Sequence, residues 1–139
     1  MKKEQSTLAI LSQLTQLQEL NLSNNRLKVI PAEIGQLENL TKLNLDNNEI
    51  TALPKEIAQL QNLKELSIKQ NKIAELPKEI GQLASLTSLN MEANQLATIP
   101  IEIAYAAKLT SLNIKANPME STERNKLKFL LPNVKITAE

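Results

Sequence analysis

The chain contains no cysteine, no histidine and no tryptophan, and its only glycines are Gly35 and Gly81. Without cysteine there is no disulfide framework, no thiol nucleophile and no thiolate zinc ligand. Without histidine there is no imidazole base and no imidazole metal ligand. Two glycines so far apart cannot build a glycine-rich phosphate loop. Tyr105 and Phe129 are the only aromatic residues. Sixteen basic against fifteen acidic side chains leave a formal charge of +1, which lacks the basic footprint of a nucleic-acid-binding domain. No stretch approaches the roughly 18 apolar residues that a membrane span requires. The apolar run Leu8 to Leu11 stops at Ser12-Gln13, too short for the core of a signal peptide. The chain therefore reads as soluble and, by default, cytoplasmic; a chain whose leader had been removed would read the same.

What the sequence does have is a period. Leu17, Leu40, Leu63, Leu86 and Leu109 follow one another at intervals of 23 residues. The same interval links Leu20, Leu43, Leu66, Leu89 and Leu112, and then Leu22, Leu45, Ile68, Met91 and Ile114. It also links Asn25, Asn48, Asn71, Asn94 and Asn117, and Pro31, Pro54, Pro77 and Pro100. Self-similarity at such a period is the signature of a repeat architecture.

The residue types say what each unit is. L-x-x-L-x-L sets alternate apolar side chains on one face, as a short half-buried strand requires. The asparagine that follows is polar at a position surrounded by core, so its amide must be hydrogen-bonded, and it can both donate and accept. The proline ends the extended segment and fixes φ near −65°. E-I-x-x-L then supplies one apolar contact per turn of a short helical or 3₁₀ return. Such a unit cannot bury its apolar side alone, so stability comes from its neighbours.

LPKEIAQLQNL (53–63) and LPKEIGQLASL (76–86) resemble the leucine-rich repeat family, in its 23-residue L-P-x-E-I-x-x-L-x-x-L form. That form occurs in Ras-binding scaffold proteins, in plant intracellular repeat proteins and in bacteria, notably Leptospira. The tail NPMESTERNKLKFLLPNVKI (117–136) is similar to the C-terminal cap of the bacterial members, with Val134 at the position usually held by cysteine. The resemblance implies an α/β leucine-rich-repeat solenoid. A short curved parallel β-sheet lines the concave face, short helical or 3₁₀ segments form the convex face, and helical caps close both ends. It also implies protein binding and no catalysis.

On this reading residues 1–139 form a single domain. Residues 1–16 are an N-terminal cap whose helical return is capped by Ser6 or Thr7; 17–108 hold four repeats; 109–119 begin a fifth; and 120–139 form a C-terminal cap with Ser121 as its helix N-cap. The fourth repeat departs from its siblings: Ile101 replaces Ala32, Lys55 and Lys78, and Tyr105 replaces Gln36, Gln59 and Gln82. One expectation is intramolecular, with Tyr105 compensating for the small Ala106 or the C-terminal helix and Phe129 lying over the patch. The other is a convex contact anchored by Ile101 and Tyr105, since aromatic anchors carry interface energy.

The expected binding surface is the solvent-facing side of the strands. Its columns are Glu19, Lys42, Glu65, Ser88 and Ser111; then Asn21, Asn44, Ser67, Asn90 and Asn113; then Ser23, Asp46, Lys69, Glu92 and Lys115; and finally Arg26, Glu49, Lys72 and Gln95. Charge signs alternate along three of these columns, which predicts cross-strand pairs of roughly 0.2–1 kcal/mol each that stabilise the sheet. The resulting expectation is a monomeric, non-catalytic module that binds a protein partner, with no nucleic acid, no membrane insertion, no cofactor and no metal. The competing reading is a structural or designed repeat scaffold without a ligand of its own. Fourteen of the fifteen acidic residues are glutamate, and Glu33, Glu56, Glu79 and Glu102 recur where a helix dipole explains them, so no catalytic carboxylate pair stands out.

Overall fold

The computed structural model describes residues 14–139. Most of the N-terminal cap predicted at 1–16, with its Ser6 or Thr7 helix cap, lies outside the described residues. Among the described residues, six strands form one parallel sheet in chain order: β1 (Glu19–Asn21), β2 (Lys42–Asn44), β3 (Glu65–Ser67), β4 (Ser88–Asn90), β5 (Ser111–Asn113) and β6 (Lys135–Thr137). Leu20, Leu43, Leu66, Leu89 and Leu112 stand opposite one another along the ladder, so the sequence period is the pairing register. At the last step Leu112 pairs with Ile136, a spacing of 24 rather than 23. There the return is the α-helix α1 (Ser121–Leu130), and the chain needs one more residue to regain the sheet.

Each of the other returns is a five-residue 3₁₀ segment: Ala32–Gln36, Lys55–Gln59, Lys78–Gln82 and Ile101–Tyr105. The proline before each has φ between −72° and −61°. Its carbonyl accepts from the amide of the isoleucine three residues on, at 3.0–3.1 Å. The proline ring thus presets the entry into the turn at a position where no amide donor is needed. Between sheet and returns runs one continuous core of leucine and isoleucine, with Leu37, Leu60 and Leu83 at 0% exposure and Ala106 at 3%.

Asn48, Asn71 and Asn94 are the buried polar residues of the described chain. Asn48 Nδ2 donates to the carbonyls of Leu22, Leu45 and Asp46 at 3.0–3.1 Å, while its Oδ1 accepts the amide of Leu27 at 3.1 Å. The same four bonds recur one repeat on at Asn71 and again at Asn94. The residue before each asparagine of the full column, Asn25, Asn48, Asn71, Asn94 and Asn117, turns the chain in the left-handed region: Asn24, Asn47, Gln70, Ala93 and Ala116, with φ of 56–61°.

Two expectations change. The N-cap of α1 is Glu120, and Ser121 is the first helical residue. A different device docks the helix: Glu123 Oε2 accepts the backbone amide of Ile99 at 2.9 Å. The intramolecular reading of the fourth repeat also fails, because Tyr105 is 77% exposed and Phe129 84%. Phe129 lies two residues, or about 200° of helix, from the buried Leu127, which turns it away from the core.

Candidate functional site

Because side chains alternate across a strand, the residues flanking each buried leucine point out of the sheet together. Glu19, Lys42 and Glu65 stand in register, followed by Ser88 and Ser111. Beside them run Asn21, Asn44, Ser67, Asn90 and Asn113. Glu19, Asn21, Lys42 and Glu65 are exposed; Asn44, Ser67, Asn90 and Asn113 are half-buried, as are Asp46, Lys69, Glu92 and Lys115 just beyond the strands. A shallow concavity lies over the first two strands, lined by Glu19, Leu20, Asn21, Lys42 and Asn44. Ile101 and Tyr105 are on the opposite, 3₁₀ side, so the convex candidates do not join this surface.

The alternating charges form fewer ion pairs than their spacing suggests. Among the described residues Lys42 Nζ meets Glu65 Oε1 at 3.8 Å, between side chains about half exposed, which places the pair near the weak end of surface salt bridges. The Asp46–Lys69–Glu92–Lys115 and Arg26–Glu49–Lys72 columns hold no ion pair among the described residues. In the first of these columns the carboxylates are otherwise engaged. Asp46 Oδ1 accepts both the hydroxyl of Ser67 and, at 2.8 Å, the backbone amide of Lys69. Glu92 Oε1 accepts from Asn113 Nδ2 at 3.2 Å.

The asparagine column is not a ladder of side chains bonded to one another. Each Oδ1 turns back onto the amide two residues along its own chain: Asn21 to Ser23 and Asn44 to Asp46 at 2.9 Å, Asn113 to Lys115 at 3.0 Å, Asn90 to Glu92 at 3.1 Å. An amide hydrogen can be met only by the carbonyl end of asparagine, so these bonds fix which way each side chain points. At Ser67, whose side chain is too short to make this bond, Asp46 of the preceding repeat supplies the oxygen instead. The exchange was visible in the sequence only as the break of the asparagine column at Ser67.

Residues 1–133 match the family model described as a leucine-rich repeat region. Among solved structures, a leucine-rich-repeat protein of Leptospira interrogans superposes with a TM-score of 0.91 at 43% sequence identity, over 92% of this chain and 33% of that one. The chain thus spans a third of that protein's length. No curated protein matches the chain. The chain belongs to the leucine-rich repeat family, a family of repeat scaffolds rather than of enzymes. Among the described residues, no helix is long and apolar enough to cross a membrane. No group of three or more His, Cys, Asp or Glu among them is placed to hold a metal ion.

Proposed function

We propose that the chain is one repeat domain whose concave strand face binds another protein, by preorganised shape and polar complementarity and without turnover. The observation that carries this reading is the in-register row of outward polar side chains on β1–β5, backed by leucines that are fully buried on β2–β5. The side chains that would meet a partner are Glu19, Asn21, Lys42, Asn44, Asp46, Glu65, Ser67, Lys69, Asn90, Glu92, Asn113 and Lys115. The bonds at the asparagines hold several of them in one orientation, which lowers the ordering cost of association. The face carries no aromatic anchor, which favours an affinity set by several polar contacts rather than by one hot spot.

Affinity capture from the native host tests this reading with three baits: wild type, Lys42→Glu/Lys69→Glu, and Tyr105→Ala. A partner held by wild type and by Tyr105→Ala but lost by the double variant is the expected result. A partner retained equally by all three, or lost only by Tyr105→Ala, overturns the concave-face reading; the second outcome assigns binding to the convex side.

A further inference from the structure

Each of the first three 3₁₀ returns is covered on one side by the return that follows. With three residues per turn, the first and fourth residues of such a segment lie one above the other on one face. That face is Ala32 and Gly35, then Lys55 and Ala58, then Lys78 and Gly81. Gly35, Ala58 and Gly81 are buried, and the two glycines lie against the main-chain carbonyls of Glu56 and Glu102 in the next return. In the fourth return the same face is Ile101 and Ala104, and both are exposed. The element that follows, α1, docks instead on the core through Leu127 and on the Ile99 amide through Glu123. The uncovered face is also the apolar one. Ile101 stands where the second and third returns carry lysine, and it is 60% exposed. Tyr105 stands where all three carry glutamine and is 77% exposed, and the nearby Ala107 is exposed too.

We propose that this face is the contact between two copies of the chain, related by a two-fold axis that passes between Ile101 and Tyr105, beside Ala104. The molecule itself shows what covers such a face: another 3₁₀ return. Among the described residues the fourth return is the one left uncovered on this side, so the matching return is the fourth return of a second copy. Residues beside a two-fold axis meet their own kind. Lysine at the first position, as in the second and third returns, would set two positive charges against each other, and isoleucine removes that repulsion. Ala104 is small enough for the two backbones to approach, and Ile101 of each copy then packs against Tyr105 of the other. The patch is a few side chains, well short of the roughly 800 Å² per partner that a stable complex buries. The dimer is therefore weak, with a dissociation constant on the order of 100 μM. Both concave faces stay open in it, because the strands lie on the opposite side of the solenoid from the returns.

Sedimentation equilibrium of the full chain, from about 10 μM to about 1 mM, tests the contact. The expected result is a reversible monomer–dimer equilibrium that weakens about tenfold or more in Ile101→Lys/Tyr105→Gln. Those substitutions restore residues that the second and third returns already carry, and melting curves of the variant show that it folds. A chain that stays monomeric throughout, or that associates equally well in the double variant, overturns the proposal. So does association that survives in the double variant but is lost in Phe129→Ala, which would place the contact on α1. Growth beyond the dimer overturns the two-fold arrangement. Because the chain has no cysteine, Ala104→Cys supplies a single thiol per copy. Mild oxidation should link that variant into covalent dimers at least about tenfold faster than Phe129→Cys, and equal rates would overturn the location of the axis.

Discussion

Asn71 is 7% exposed, and its hydrogen-bonding groups are met entirely by backbone: Nδ2 by the carbonyls of Leu45, Ile68 and Lys69, Oδ1 by the amide of Ile50. Replacing it with alanine leaves the buried Ile50 amide without a partner, at about 1–3 kcal/mol, while each carbonyl keeps a second donor: Leu45 from Asn48 Nδ2, Ile68 from Asn94 Nδ2 and Lys69 from the Asn47 amide. Asn71→Ala should therefore lower stability by roughly 1–3 kcal/mol. Asn25 occupies the same column but is exposed, and among the described residues it bonds only Leu22 and Ser23. Water replaces those bonds, so Asn25→Ala should change stability by less than about 1 kcal/mol. Urea unfolding followed by circular dichroism separates the two cases, and equal losses would contradict the proposed role of the buried amide. The asparagine column was legible in the sequence because one chemistry is repeated at every step. The left-handed column beside it was not: Asn24, Asn47, Gln70, Ala93 and Ala116 share no side-chain chemistry, and none is the glycine that usually marks positive φ. Ala116 is exposed and held at φ 57°, which asparagine tolerates better than alanine. Ala116→Asn should stabilise the protein by about 0.5–1 kcal/mol, seen as a higher urea midpoint at an unchanged slope.

At the scale of elements, each 3₁₀ return packs against the next, and the side chain facing the next return limits how closely the two can approach. In the first three returns that position is held by Gly35, Ala58 and Gly81. A Cβ built on Gly81 would lie 1.9 Å from the backbone carbonyl oxygen of Glu102. That oxygen belongs to the main chain and cannot swing aside as a side-chain tip can. Gly81→Ala should cost about 1–3 kcal/mol by forcing the Lys78–Gln82 and Ile101–Tyr105 segments apart, even though alanine is otherwise the better helix former. A melting temperature equal to or above wild type would show that the two returns separate freely. The outward face shows the opposite limit of legibility. Charge alternation predicted ion pairs along its columns, but proximity of columns does not decide partners. Asp46 is drawn to an unpaired backbone amide and a hydroxyl, where a carboxylate gains more than from a mobile, hydrated lysine.

For the whole molecule, the architecture was legible because the 23-residue period is the strand register itself, and only the last step, where an α-helix replaces the 3₁₀ return, departs from it. If the array is held together by contacts between successive units, removing one complete unit should leave a folded protein. Deleting residues 63–85 joins Asn62 to Leu86 and brings β4 against β2, with Leu89 opposite Leu43 and Asn94 taking over the Ile50 amide from Asn71. The variant should unfold in a single transition, with a urea slope lower by about a sixth, the share of 23 residues in 139, since that slope follows the surface exposed on unfolding. Deleting one residue fewer, 63–84, keeps almost the same composition but shifts every later strand by one position. Leu89 and Leu112 would then face solvent, and their polar neighbours would enter the core. That variant should lose its cooperative transition. Comparable unfolding curves for the two deletions would mean that the returns, rather than the register of the sheet, organise the solenoid.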